Sequence, residues 1–257
     1  MSEHNTLRIS AVQINRCSID ESFQKIESVL KDVEAQRPDI VVLPEKWITD
    51  RLTEDDPKFL NLLGRFLDFS KLYGCSIVPG SFSIVRNGVT FNSAPMISGG
   101  ELLGFQDKIS LYRGEKASYE HGSEVNVFRT KKIAVTIAIC YDLDFPYYTK
   151  LAVKGGAGIL VNPSLIEEKF HGMWQVYVRG RSLENRIPVI SVNSLSTPFG
   201  GNSIITGIKV TDEGVFLLDH LAGKQELTTV DLDLQGIEKA MLARIQEDPG
   251  FYSIQQR

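Results

Sequence analysis

The chain has 257 residues and a formal charge of −4, with 42% hydrophobic and 23% charged residues. That is enough apolar material for a sizeable core, which excludes disordered and fibrous classes, and the size suits one large α/β domain or two small ones. There is no basic surplus to neutralise phosphates, and no apolar run of membrane-spanning length, so neither a nucleic-acid nor a membrane partner is expected.

In chain order, residues 7–14 alternate like a strand, and residues 22–33 place Phe23, Ile26, Val29, Leu30 and Val33 on one helical face. A continuous apolar strand over residues 40–43 ends at Pro44. Asp56 and Pro57 open a helix over residues 57–72, as N-cap and first helical residue. Residues 76–79, 81–86 and 91–97 read as strands, the last two joined by an Asn87-Gly88 hairpin turn. Gly99-Gly100 turns the chain into a strand over residues 102–106. Strands at 126–129 and 133–139 flank the basic turn Thr130-Lys131-Lys132. Then follow a helix near 146–154, a strand at 158–161, a helix at 171–185 and a strand at 189–193. Hairpins mixed with βα units predict sheets with helices on their outer faces, and one domain over residues 1–257 is the simpler reading.

Cys17, Cys75 and Cys140 are odd in number and lack CxxC spacing, which argues against a disulfide framework or zinc knuckle and for a reducing cytoplasm. Cys140 alone closes a buried strand just before a turn, where backbone N–H groups can stabilise an oxyanion or thiolate; the alternative is a small buried hydrophobe. Cys17 and Cys75 read as structural. A cysteine nucleophile needs a base. His4, His121, His171 and His220 show no local protease signature, although partners converge in space rather than in sequence. Glu45, where the strand over 40–43 emerges, is an equal contender, since partial desolvation suits a carboxylate to base work. Lys108, after the strand over 102–106, offers a positive charge or is an ordinary solvated lysine. No Walker GK[ST], dinucleotide-binding glycine pattern or G-x-S-x-G elbow competes.

Glu45, Lys108 and Cys140, in this order and each at a strand end, resemble the nitrilase superfamily of carbon–nitrogen hydrolases. The similar islands are residues 39–45 (DIVVLPE), 104–111 (GFQDKISL) and 137–142 (IAICYD) followed by Phe145-Pro146. Residues 115–122 resemble the stretch bearing a second active-site glutamate, which places that role on Glu115 rather than on nearby Glu120 or Glu124. Asn162-Pro163-Ser164, residues 181–186, residues 189–193 and Gly201-Asn202-Ser203 follow in the family's order, so the likeness spans roughly residues 7–232.

The resemblance implies a four-layer α-β-β-α sandwich, a homodimer or higher homo-oligomer formed through one helical layer, and no metal or organic cofactor. It implies hydrolysis of a small amide or carbamoyl compound, with Cys140 as nucleophile, Glu45 as base, Lys108 and the Tyr141 N–H at the oxyanion, and Glu115 assisting. A nitrile hydrolase with the same residues, or a silent binding protein of the same fold, are the alternatives. The chain departs from the family at Asp107 and Ser110, where arginine and histidine are common, at His121, where a proline is frequent, and at Asp144 and Tyr147, where many members have arginine and glutamate. Tyr112, Tyr119, Phe145, Trp174 and Phe199 are aromatics that line a pocket or, by the simpler expectation, pack in the core.

Overall fold

The computed structural model describes residues 5–248. Its first sheet begins with β1 (Thr6–Val12), β2 (Ile40–Val42), β3 (Arg51–Thr53), β4 (Ser76–Val78), β5 (Phe82–Arg86), β6 (Val89–Ser98) and β7 (Glu101–Asp107). The second is built from β8 (Val127–Arg129), β9 (Ala134–Ile137), β10 (Ile159–Pro163), β11 (Val189–Val192), β12 (Ile204–Thr211) and β13 (Gly214–Leu221). Strand β14 (Leu227–Asp233) returns to the first sheet, which runs β14-β1-β2-β4-β6-β5-β3 with β7 also paired to β6. The second runs β13-β12-β11-β10-β9-β8. Helices α1 (Ile19–Gln36) and α2 (Pro57–Tyr73) belong to the first half, α3 (Pro146–Lys154) and α4 (His171–Asn185) to the second, and α5 (Leu234–Glu247) follows β14.

The layering follows from how the central strands divide their side chains. Successive residues of a strand point to opposite faces, so a strand buried on both sides is apolar throughout. Ile40 and Val42 of β2 enter one core cluster together with Ile159 and Val161 of β10 and Ile190 and Val192 of β11, which makes this the layer between the sheets. Val41 turns the other way, to a cluster with Phe59, Leu62 and Phe66 of α2 and Ile26 and Val33 of α1. Leu160 and Val189 do the same on the second sheet, meeting Tyr148 and Val153 of α3 and Trp174 and Val178 of α4. Three clusters between four layers make an α-β-β-α sandwich. Helix α5 joins the middle layer through Ile237.

The expected elements through residue 193 are present with shifted ends. Helix α1 begins earlier than its apolar stripe because Ser18 and Glu21 form a reciprocal capping box. Asp56 caps α2 by accepting from the N–H groups of Lys58 and Phe59. Strand β9 is shorter than the apolar run over 133–139, since the Ile139 N–H leaves the ladder to donate to the Asp142 carboxylate. Strand β3, the hairpin β12–β13, β14 and α5 had no expectation attached. Strands β13 and β14 and helix α5 are largely half-exposed or exposed, so they lack the unbroken apolar runs of the central strands, whereas β12 is buried over its first five residues.

Candidate active site

Cys140, Glu45 and Lys108 come from the ends of three strands in two sheets, and they converge. Glu45 follows β2, and the loop that carries it is pinned under Gly80: a Cβ there would stand 2.1 Å from the Pro44 carbonyl oxygen, at φ +88°. Lys108 follows β7 and stays beside β6 through its own N–H, which donates to the Asn92 carbonyl at 2.8 Å. Cys140 opens a 3-10 turn, Cys140–Asp144, after β9, with φ +45°. Asn162 at the end of β10 holds this corner, donating through Nδ2 to the carbonyls of Ala138 (2.6 Å) and Cys140 (3.2 Å).

Glu45 and Lys108 are 2% and 1% exposed, so they are neither a surface acid nor a solvated lysine. Lys108 Nζ lies 2.9 Å from Glu45 Oε1 and 2.8 Å from Glu115 Oε2. Glu115 sits in a second 3-10 turn, Arg113–Ala117, and its Oε1 takes a further ion pair at 2.6 Å from Lys46. The chain of charges is therefore Glu45, Lys108, Glu115, Lys46, alternating in sign. Burial would discharge the Lys108 ammonium, but the two glutamates and Cys140 outweigh it and hold its pKa well above the usual lysine range. Lys46 is raised in the same way by Glu45 and Glu115 against burial. Burial raises Glu115, and Lys108 and Lys46 overcome it, lowering its carboxyl to about 2.

The Cys140 thiol is enclosed at 8% exposure, less open than a freely reactive thiol. Burial first, and then the negative charge of Glu45, raise its pKa far above the ordinary value; Lys108 and the Leu165 backbone offset only part. The resting pair is a neutral thiol beside a carboxylate. None of the described histidines is hydrogen-bonded to Cys140: His171 meets the Ile166 and Phe199 carbonyls, His121 the Gly122 carbonyl, and His220 lies on β13. His4 lies outside the described residues.

Three residues to which the motifs assigned no role complete the site. Asn92 of β6 donates to Glu45 Oε1 at 2.7 Å, while its own Oδ1 is buried without a partner. Lys46, next to Glu45, is the fourth charge of the chain. Asp142 is fully buried and accepts from the N–H groups of Ile109 (3.1 Å), Ser110 (2.6 Å) and Ile139 (3.0 Å), which binds the lysine segment to the cysteine turn. Burial lifts its carboxyl to about 7 against those donors. Glu120 is exposed and pairs with His121, and Glu184 meets Arg181. Cys17 and Cys75 are buried and free, and burial pushes the Cys75 thiol up to about 12.

Above Cys140 opens a cavity of about 270 Å³, walled by Tyr141, Tyr112, Phe170, Trp174, Tyr177 and Asp144 among others. Tyr141 is the second residue of the cysteine turn, and its ring meets Tyr112 and Phe145 edge-on at 4.9 and 5.3 Å. The expectation of core packing fails for Tyr112, which stands exposed on the cavity wall, and for Phe145, which is exposed outside it. It holds for Trp174, which also lines the cavity. Tyr119 instead packs behind the site, its ring 5.0 Å from Lys46 Nζ, and Phe199 faces Arg16 at 6.0 Å.

Comparison with known proteins agrees with this architecture. The chain is 30% identical over 223 residues to a "hydrolase in agr operon" of Staphylococcus aureus, covering 78% of this chain and 80% of that protein. It is 26% identical to a 2-oxoglutaramate amidase of Bacillus subtilis over 72% of this chain and 76% of the relative. Among solved structures, a carbon–nitrogen hydrolase superfamily protein of Xanthomonas campestris superposes with a TM-score of 0.77 at 20% identity, covering 96% and 99% of the two chains. The model of the carbon–nitrogen hydrolase family matches residues 8–241, a span that runs from β1 into α5 and takes in all three converging strand ends. By that match and by its four layers, the chain belongs to the carbon–nitrogen hydrolases of the nitrilase superfamily.

Proposed function

We propose that this protein hydrolyses the C–N bond of a small linear amide or carbamoyl compound through a thioester on Cys140. The observation that carries the reading is the convergence of the buried Cys140 thiol with Glu45, whose Oε1 is held by both Lys108 and Asn92, beside an aromatic cavity that Cys140 lines. Glu45 takes the thiol proton as Sγ bonds to the amide carbon, so no free thiolate has to exist in the resting enzyme. Charge moves to the amide oxygen, where the Lys108 ammonium and the Tyr141 N–H meet it in a site shielded from water. Collapse breaks the C–N bond, and Glu45 returns the proton to the departing ammonia or amine. Water then attacks the thioester, Glu45 accepting its proton and passing it to sulfur as the C–S bond breaks and the acid leaves. Glu115 keeps Lys108 aligned and orients that water. The 2-oxoglutaramate amidase among the relatives supports an amide substrate, and a nitrilase of Pyrococcus abyssi, also a relative, is the reason nitriles belong in the test.

The test is release of ammonia from a panel of amides, carbamoyl compounds and nitriles by the wild type, Cys140→Ala and Glu45→Gln. Loss of at least about 10³-fold in both variants, with unfolding transitions retained, is the expected result. Full activity in Cys140→Ala overturns the mechanism, and release from nitriles alone overturns the amide assignment.

We further propose that two copies pair through the outer layer of α3 and α4. Tyr147, Leu151 and Val176 are 80%, 59% and 66% exposed there, an apolar face that a second copy would cover.

A further inference from the structure

Lys46 holds a backbone conformation that a lysine adopts only at a cost. Its φ is +37°, in the left-handed region that favours glycine, and such outliers persist where the surroundings impose them. Here the surroundings do so from three sides. The Lys46 N–H donates to the Ser81 hydroxyl at 3.3 Å, its carbonyl accepts from Arg16 Nε at 3.0 Å, and its Nζ lies 5.0 Å from the centre of the Tyr119 ring. Tyr119 is tied in turn through its hydroxyl to that of Ser83 at 2.7 Å. The ammonium is thereby delivered to Glu115 Oε1 at 2.6 Å, in a pair whose side chains are only 17% and 13% exposed.

That pair has a consequence for Lys108. Glu115 Oε2 accepts from Lys108 Nζ at 2.8 Å and from the Tyr112 N–H at 3.0 Å. With Lys46 on Oε1, both oxygens are fixed and the carboxylate cannot turn about its last bond. An ammonium has three N–H groups. Lys108 gives one to Glu45 Oε1 at 2.9 Å and one to Glu115, so a single N–H remains. Were Glu115 to turn away or take a proton, Lys108 would settle on Glu45 alone, blunting the base and misdirecting that N–H. The charged groups around Glu115 are Lys46 from the loop after β2, Lys108 from the end of β7 and Glu45 beyond it, while Arg113 and Lys116 of its own turn are exposed. Burial raises the Glu115 carboxyl, and Lys108 and Lys46 together bring it down to about 2.

We propose that Lys46 is a positioning residue for the hydrolysis at Cys140: it clamps Glu115, and through Glu115 it aims the third N–H of Lys108 at the substrate oxygen. This rests on the amidase reading above for the chemistry, but not for the clamp. Lys46 is not among the residues that wall the cavity, so its effect falls on kcat and not on KM.

The test reads turnover and the carboxyl separately. Lys46→Met should lower kcat for ammonia release at least about tenfold and leave KM within about twofold, with the unfolding transition retained. In a Glu115→Gln background the same substitution should change kcat by less than about twofold, because the group it acts through is gone. Losses that multiply in the double variant, a loss in KM alone, or an unchanged kcat overturns the proposal. The NMR resonance of the Glu115 carboxyl carbon, assigned by its disappearance in Glu115→Gln, reports the clamp without any turnover. In Lys46→Met it should begin to protonate at least about one pH unit higher than with Lys46 in place. An unmoved titration overturns the proposal as well. A shifted titration in a protein that releases no ammonia from any amide sinks the amidase assignment alone. Ammonia released equally by the wild type and Lys46→Met sinks this one alone.

Discussion

Lys108 is held by two carboxylates in a nearly dry setting, and its charge is the centre of a four-member chain. A buried ion that loses its partner costs far more than a surface pair ever contributes. Lys108→Met is therefore expected to destabilise the fold by about 3 kcal/mol in urea unfolding as well as to abolish turnover, since it strands Glu45 and half of Glu115. Lys46→Met removes only the outermost charge and should cost markedly less in the same measurement. Equal losses in the two variants would show that the charges do not act as a chain. Glu45, Lys108 and Cys140 were legible because each stands where a strand emerges and because the surrounding islands resemble a known family. Asn92 was not: it meets Glu45 across 47 residues of sequence, inside strand β6, where no local motif marks it. Lys46 adjoins Glu45, yet a lysine in a loop is by default solvated, and only folding shows its partner.

At the level of elements, the cysteine turn and the lysine segment are one unit because Asp142 accepts N–H groups from both. Asp142→Asn keeps the shape but turns one acceptor into a donor, which leaves at least one buried N–H unmatched. A loss of about 2 kcal/mol is expected, with a larger fall in kcat than in KM, because oxyanion and nucleophile would shift relative to each other. The native carboxyl lies near 7 against 3.8 when unfolded, so its protonated form is favoured by folding; that stability is complete below 3.8 and is lost as pH rises through 7. The variant should lack this slope. Helix α1 gives a simpler case. Ser18→Ala removes the capping box and should lower stability by about 1 kcal/mol with activity unchanged, as read by thermal unfolding and ammonia release. Apart from β3, the types of the helices and strands through residue 193 followed from period, capping and turn residues. Pairing order did not, because β14 returns from the far end of the sequence to sit beside β1, and no local pattern records that.

For the whole molecule, acid resistance depends on the same charges as the chemistry. Glu115 titrates near 2 in the fold against 4.5 unfolded, so its contribution is complete above 4.5 and is lost as pH falls towards 2. The amount is on the order of 2 to 3 kcal/mol, and Glu115→Gln should flatten the acid limb of a stability–pH curve by that much. If α3 and α4 join two copies, Val176→Glu at their exposed face should shift sedimentation from dimer to monomer without unfolding the chain. An unchanged sedimentation coefficient would place the interface elsewhere. The sandwich was anticipated from the family likeness; hairpins and βα units alone were compatible with it but do not choose four layers over three.

The left-handed backbone at Cys140 sets the interests of folding and of catalysis against each other. An L-residue there carries a steric penalty of about 1 to 2 kcal/mol that glycine escapes. Cys140→Gly should therefore melt higher than Cys140→Ala, while the proposed mechanism requires both to be inactive. A population of variants selected for heat resistance alone would drift towards that glycine and go silent, so the nucleophile persists at this corner only under continued demand for turnover.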